Sequence, residues 1–265
     1  MKEIEKSITG TYSKTIWRRF IKAVEEYKLI RDGDIIAVCI SGGKDSMLLA
    51  KLMQMTAEYK LYDIKVRYLM LDPGYEAVHL ERIEANAKTL GIDIEIFKEN
   101  IFDSTDEIGK NPCFFCSRMR RGYLYRKAKE MGCNKIALGH HYNDVVETIL
   151  MGMLYGAQVQ TMLPRLRSDN VEGMELIRPM YLIHEKDIIE WRDANGLEFV
   201  KCSCRLASED GHEQTTRLKV KKIIEELMKD NDAVEANIFG SVMNVDLNKV
   251  MSYKKDGRSF SVLDD

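Results

Sequence analysis

Apolar and polar positions change period several times along the chain, from unbroken apolar runs to helical stripes and back. Residues 35–40 (IIAVCI) run without a polar interruption, as expected of a strand covered on both faces of a parallel sheet. Residues 47–55, rich in Leu, Ala and Met, follow as a helix. Residues 64–71 (IKVRYLML) form a second strand ended by Asp72-Pro73-Gly74, and residues 76–90 a helix stopped by Gly91. Residues 92–97 are a third strand, 135–138 a short fourth and 174–180 a fifth. Strands alternating with helices predict an α/β fold, a doubly wound and mostly parallel sheet with helical extensions. Residues 1–33 read as largely helical, with Ile16, Trp17, Phe20, Ile21 and Val24 in one apolar stripe. Beyond residue 157 the alternation gives way to a mostly helical part with a basic amphipathic stretch at 213–230, and the last ten residues are expected to be loosely held. The expected organisation is therefore an N-terminal helical segment (1–33), an α/β core (34–156) and a C-terminal part (157–265) that completes the sheet.

Composition narrows the setting more than the chemistry. With 265 residues and 45% hydrophobic content, the chain can bury a core without disulfide staples. A net charge of −2 means that a polyanion would have to meet a local patch. Met1 to Gly10 is charged and lacks an apolar core, and no run approaches the ~18 apolar residues of a membrane span. A soluble, cytoplasmic protein with no membrane partner is the expectation.

Candidate chemistry gathers at strand ends. Ser41-Gly42-Gly43-Lys44-Asp45-Ser46 joins the first strand to its helix, where two glycines let the backbone approach a ligand and the free amides of the helix start favour an anion. A Walker A loop would need Gly at 38 and Ser or Thr at 45, and the chain has Val38 and Asp45. The hexapeptide instead resembles the SGGxDS loop of the N-type ATP pyrophosphatases, which split ATP between the α and β phosphates. The residues themselves agree: Ser41, Ser46 and the turn amides would hold pyrophosphate, Lys44 would add positive charge and Asp45 would carry Mg²⁺. Residues 72–75 and 139–144 lie at other strand ends, near the switch in strand order where such sheets bind ligands. The expected ATP-binding set is Ser41, Gly42, Gly43, Lys44, Asp45, Ser46, Leu71, Asp72, Gly139 and His140.

Six cysteines in a chain of this setting argue for thiol or metal chemistry. Cys113-Phe114-Phe115-Cys116 precedes a helix whose start favours thiolate, and Cys202-Ser203-Cys204 is flanked by Lys201 and Arg205. Cys39 and Cys133 read as small core residues. Three arrangements fit the paired cysteines: a closed Cys₄ zinc site, a redox dithiol at 113 and 116, or an iron-sulfur cluster with fewer than four thiolates.

NPCFFCSRMRRGYLY at 111–125, IALGHHYNDVVETILMGMLYG at 136–156 and RPMYLIHEKDI at 178–188, together with SGGKDS, closely resemble the tRNA 2-thiocytidine synthetase (TtcA) family. The resemblance covers about residues 15 to 250. It implies an adenine nucleotide alpha hydrolase-like fold and an ATP-dependent tRNA sulfurtransferase that uses ATP, Mg²⁺ and a [4Fe-4S] cluster on three cysteines. Matched by position, Cys113, Cys116 and Cys202 are the ligands and the open iron holds the sulfur to be transferred; Cys204 is the alternative third ligand. Where the family has two acidic residues, this chain has Asn143-Asp144, and the role passes to Asp144. Where its second pair is CxxC, this chain has CxC, with Arg205 at the fourth cysteine's place. The reaction so implied transfers a pyrimidine O2, in a cytidine of the anticodon loop, to AMP and then replaces it by sulfur. Asp45, Lys44, Arg120 and Asp144 are the catalytic candidates, Lys44 and Arg120 as stabilisers of phosphate charge.

The basic helix with Arg118, Arg120, Arg121, Arg126, Lys127 and Lys129 is placed to meet tRNA phosphates, and Arg165, Arg167, Lys219, Lys221 and Lys222 extend it. Tyr142 or Phe115 is a candidate to stack on an outturned base. A sulfur donor, either a cysteine desulfurase or free sulfide, is a required partner, and a homodimer is compatible with the pattern. Three other readings share these motifs: a 2-thiouridine synthetase, a zinc-stapled ligase or amidating enzyme of the same fold, and a non-enzymatic nucleotide- and cluster-binding sensor.

Overall fold

The computed structural model describes residues 2–72, 74–98, 112–168, 171–199 and 216–263, without the side chains of residues 112–118 and 120. Its contacts fall into two units, Met1–Asp144 with Leu163–Thr215, and Val145–Met162 with Thr216–Asp265.

The first unit is built on a six-stranded sheet. Helix α1 (Lys2–Thr9), a π turn (Ser13–Trp17) and α2 (Arg18–Glu26) precede strand β1 (Ile35–Ile40). Then come α3 (Lys44–Glu58), β2 (Lys65–Asp72), α4 (Ala77–Leu90), β3 (Ile94–Lys98), α5 (Pro112–Glu130) and β4 (Lys135–Ala137). Helix α6 (Tyr142–Gly156), β5 (Arg165–Arg167), β6 (Glu175–Ile177) and α7 (Glu185–Ala194) follow. The strand order is β3-β2-β1-β4-β6-β5. All pairings are parallel except β5 with β6, so the expected doubly wound, mostly parallel sheet is what forms.

Strand β1 shows why its sequence is apolar throughout. Ile36, Val38 and Ile40 join a large core cluster with Ile8, Phe20, Leu48, Leu49 and Ile83 from α1 to α4, while Ala37 and Cys39 join a second cluster with Tyr125 and Ala128 of α5. Side chains alternate across a strand, so a sheet with helices on both faces leaves no position for a polar residue. The α3 helix is sunk so far into the first cluster that even Lys51 is fully buried, its ammonium held by Glu5 at 2.7 Å, Gln54 at 2.9 Å and the Leu90 carbonyl at 3.2 Å. Helix α4 stops where the sequence places its stop, on Gly91 in the left-handed region (φ 70°).

Two strands differ from the sequence pattern. The fifth strand spans only Glu175–Ile177, because Pro179 has no N–H with which to continue a ladder. Its antiparallel neighbour β5 is three residues long, Arg-Leu-Arg, too short for any periodicity to announce it.

The second unit contains residues 145–156 of α6, helices α8 (Thr216–Met228) and α9 (Val234–Ser241), and a hairpin of β7 (Ser252–Lys255) and β8 (Arg258–Ser261). Buried Glu147 accepts from Arg217 at 3.1 Å, which ties the first turn of α8 to α6. The hairpin replaces the loosely held C-terminus expected from sequence. Asp256 (φ 50°) and Gly257 (φ 75°) both take positive φ, as a two-residue type I′ turn requires, and that turn matches the twist of two short strands. Among the described residues no helix is long and apolar enough to cross a membrane.

Candidate active site

The order β3-β2-β1-β4-β6-β5 reverses direction between β1 and β4, and a crevice opens at the carboxyl ends of that pair. It encloses about 430 Å³. Ser41, Asp45, Ser46, Gly139, His140 and Asp144 line its polar side, and Cys39, Ile40, Leu124, Tyr125, Ile136 and Leu138 its apolar side, with Arg121 from α5.

The loop of residues 41–46 is closed on itself by one hydroxyl. Ser46 Oγ accepts from the Ser41 amide (3.1 Å) and the Ser41 hydroxyl (3.1 Å) and donates to the Gly43 carbonyl (3.0 Å). Gly43, the residue before α3, supplies no side-chain cap, so the first-turn amides of the helix are left for an anion. Gly42 has φ +82°, and a Cβ there would lie 2.5 Å from Ile83 Cδ1. Gly42→Ala is therefore expected to lower stability by ~2 kcal/mol or more, through left-handed strain plus overpacking against α4, readable as a shift in the denaturant midpoint. Gly139 is needed for a different reason: a Cβ on it would stand 3.0 Å from the Asp45 carbonyl carbon and 3.1 Å from the Ser46 amide nitrogen. The β4 loop thus lies directly on the start of α3.

Lys44 Nζ sits between two carboxylates, Asp45 Oδ2 at 3.1 Å and Glu185 Oε1 at 3.0 Å. Burial opposes its charge, but Asp45 and Glu185 outweigh burial and hold its pKa above the ordinary lysine value. Glu185 opens α7, and its amide donates to Asn143 Oδ1 at 2.9 Å. Asn143, which stands where the resembled family has an acid, thus positions the helix whose first residue holds Lys44. Asp144 accepts from the His141 amide at 3.0 Å at the start of α6 and also lines the crevice.

Asp45 Oδ1 is buried and has no hydrogen-bond partner among the described residues; His141 Nε2 is 3.9 Å away. An orphaned carboxylate oxygen beside an anion-binding turn fits a divalent cation. No three Cys, His, Asp or Glu side chains among the described residues could hold a metal alone, so Mg²⁺ there would complete its shell with phosphate oxygens and water.

One guanidinium, that of Arg121, lines the crevice, and a second, that of Arg178, is bonded to one of its lining residues. Arg178 donates from Nε to His140 Nδ1 at 3.3 Å and from Nη1 to the Leu163 carbonyl. Burial lowers its pKa to about 10; Tyr181, Tyr125 and Asp144 oppose the fall and Arg121 adds to it. It remains a cation at neutral pH.

Of the residues expected from sequence, Ser41, Asp45, Ser46, Gly139, His140 and Asp144 meet in this crevice. Leu71 lies one layer out, against Phe97, Tyr123 and Leu124, and Asp72 spends its Oδ1 on the amides of Gly74 (2.9 Å) and Tyr75 (2.8 Å). Tyr142 is buried and stacks on His184 at 4.2 Å. In the basic run, Lys127 pairs with Glu130 at 2.7 Å and Lys129 donates to the Glu172 carbonyl at 2.9 Å. Cys39 and Cys133 are both buried, and burial pushes the Cys133 thiol up to about 11. The helix α5 begins at Pro112, so Cys113 and Cys116 lie within its first five residues and do not precede it, but their side chains and that of Arg120 lie outside the described residues, as do Cys202 and Cys204. Glu185, Arg178 and Tyr125 are additions that sequence reasoning did not select; His141 lay within the expected 139–144 segment, and Arg121, expected to meet tRNA phosphates, lines the crevice instead. Glu185 and Arg178 both belong to the RPMYLIHEKDI segment, and a signal for them was present there.

This fold and loop define a PP-loop nucleotide-binding domain, and residues 13–207 match the PP-loop domain family. The chain is 38% identical over 252 residues to the tRNA-cytidine(32) 2-sulfurtransferase 1 of Francisella philomiragia subsp. philomiragia, covering 92% of this chain and 94% of that protein. It is 38% identical over 231 residues to the tRNA-cytidine(32) 2-sulfurtransferase 2 of Francisella tularensis subsp. tularensis, covering 84% and 88%. The chain belongs to the tRNA-cytidine 2-sulfurtransferase family of PP-loop proteins. Among solved structures, the U34-tRNA thiolase NcsA from Methanococcus maripaludis with its [4Fe-4S] cluster shares the fold, with a TM-score of 0.69 and 20% identity over 85% of this chain and 76% of that one.

Proposed function

We propose that the protein is an ATP-dependent tRNA sulfurtransferase that replaces O2 of cytidine 32 by sulfur, the nucleotide named in its relatives. The observation that carries this reading is the crevice at the β1/β4 switch, which is lined by a phosphate-binding turn, by Asp45 with its orphaned oxygen, by Arg121 and by His140, the acceptor of Arg178.

The loop of residues 41–46 holds the β and γ phosphates on its amides and hydroxyls, with Lys44 as the cation. Asp45 would hold Mg²⁺, which would supply charge for the phosphates. Arg121, which lines the crevice, and Arg178, which donates to His140, are the cations proposed for the α phosphate, where charge grows as O2 of the base forms its bond to phosphorus and the bond to pyrophosphate breaks. Asp144 and His140 border that reacting centre, and the apolar wall of Leu124, Tyr125, Ile136 and Leu138 keeps water from competing with the base. Sulfide then attacks C2, and AMP leaves with the former O2. Cys113, Cys116 and Cys202, or Cys204 in place of the last, are the residues proposed to hold a [4Fe-4S] cluster, which would supply the sulfur to be transferred. A cysteine desulfurase or free sulfide must replenish that sulfur.

The test is AMP formation from ATP labelled at the α phosphate. Label is expected in AMP only when unmodified tRNA is present, and a transcript with uridine at position 32 should lose the signal. AMP formation indifferent to tRNA would overturn the reading.

A further inference from the structure

We infer that the C-terminal hairpin β7–β8 is a second contact surface for the tRNA substrate, one that takes an unpaired nucleotide. This rests on the reading of tRNA as the substrate. The hairpin lies beyond residues 13–207, so it is no part of the matched PP-loop domain.

Its register pairs Tyr253 with Phe260 and Lys255 with Arg258. Side chains alternate along a strand, so these four residues share one face. The two rings stack at 5.0 Å with 13° between their planes, yet Tyr253 remains 36% and Phe260 40% exposed. An aromatic pair left partly to solvent beside two cations is costly to keep unless a partner covers it. Beside it a concavity of about 380 Å³ is lined by Lys255, Asp256, Arg258 and Phe260, room for a base with its sugar. Between Ser252 and Ser261 there are three cations, Lys254, Lys255 and Arg258, against the single carboxylate of Asp256.

That charge selects the occupant. A second copy would bring like charges face to face, which disfavours strand pairing between hairpins. A nucleic acid brings phosphates for Lys255 and Arg258 and a base for the rings. Duplex RNA hides its base faces in the stack, so the rings call for an unpaired nucleotide.

The test uses the full chain loaded with iron and sulfide, and unmodified tRNA as the probe, with affinity read by anisotropy over a range of KCl. K255Q/R258Q should weaken binding at low salt and reduce the slope of log K against log salt by about 1.4, two contacts at ~0.7 each. Y253A/F260A should weaken binding roughly tenfold or more with the slope unchanged, and Y253F/F260Y, which keeps both rings, should bind as the parent. Affinity for ATP without tRNA serves as the control for folding, and K255Q/R258Q leaves the ring pair in place should Y253A/F260A misfold. Parental affinity and slope in both variants overturn the inference, and so does a shifted monomer–dimer equilibrium at unchanged tRNA affinity, which assigns the face to a second copy. If the parent protein thiolates tRNA and the variants bind it as well as the parent, only the hairpin's role falls. If the parent binds no tRNA, the substrate reading itself falls.

Discussion

Asp45→Asn is expected to slow tRNA-dependent pyrophosphate release roughly 10³-fold, about 4 kcal/mol in the barrier, while the fold survives. The two effects separate because Asp45 does little for stability. Its Oδ1 has no hydrogen-bond partner among the described residues, and its Oδ2 shares Lys44 with Glu185. At 30% side-chain exposure, the lost ion pair is worth ~1 kcal/mol or less. Asparagine keeps the shape and removes only the charge that a divalent cation needs. Single-turnover pyrophosphate release and a thermal melt measure the two quantities. Collapse of both together would mean that Asp45 is structural.

Cys113→Ser is the second large effect, and it falls on a different half of the reaction. A serine oxygen is a poor ligand for an iron-sulfur cluster, so iron and acid-labile sulfide should drop to background and thiolated product should vanish. Pyrophosphate release with tRNA should persist, because the nucleotide is held by residues 41–46 and not by the cysteines. Cys133→Ser provides the contrast: that thiol is buried and pushed up to about 11, far from a ready thiolate, so its loss should leave iron and sulfide content unchanged. A Cys113→Ser protein that retains full iron and sulfide would remove Cys113 from the ligand set.

Sequence spoke most clearly where one physical cause dominated locally. Six apolar residues before a double glycine leave little choice but a buried strand entering an anion-binding turn, and β1 with its loop forms as read. The partnership of Lys44 with Glu185 spans 141 positions and depends on Asn143 fixing the start of α7, which no local pattern encodes. In the basic run, Arg120 and Arg121 are equivalent on paper. Successive helix positions point about 100° apart, and the residue lining the crevice among those described is Arg121. The hairpin was hidden for a similar reason: its strands are four residues each, with exposed side chains, and only the Asp256-Gly257 turn announces them.

The most direct measurement is mass spectrometry of nucleosides from unmodified tRNA after anaerobic incubation with the iron- and sulfide-loaded protein, ATP, Mg²⁺ and sulfide. The expected product is 2-thiocytidine at position 32, with one AMP and one pyrophosphate formed for each sulfur introduced. ATP cleavage that leaves tRNA without any thiolated nucleoside would contradict the proposed function.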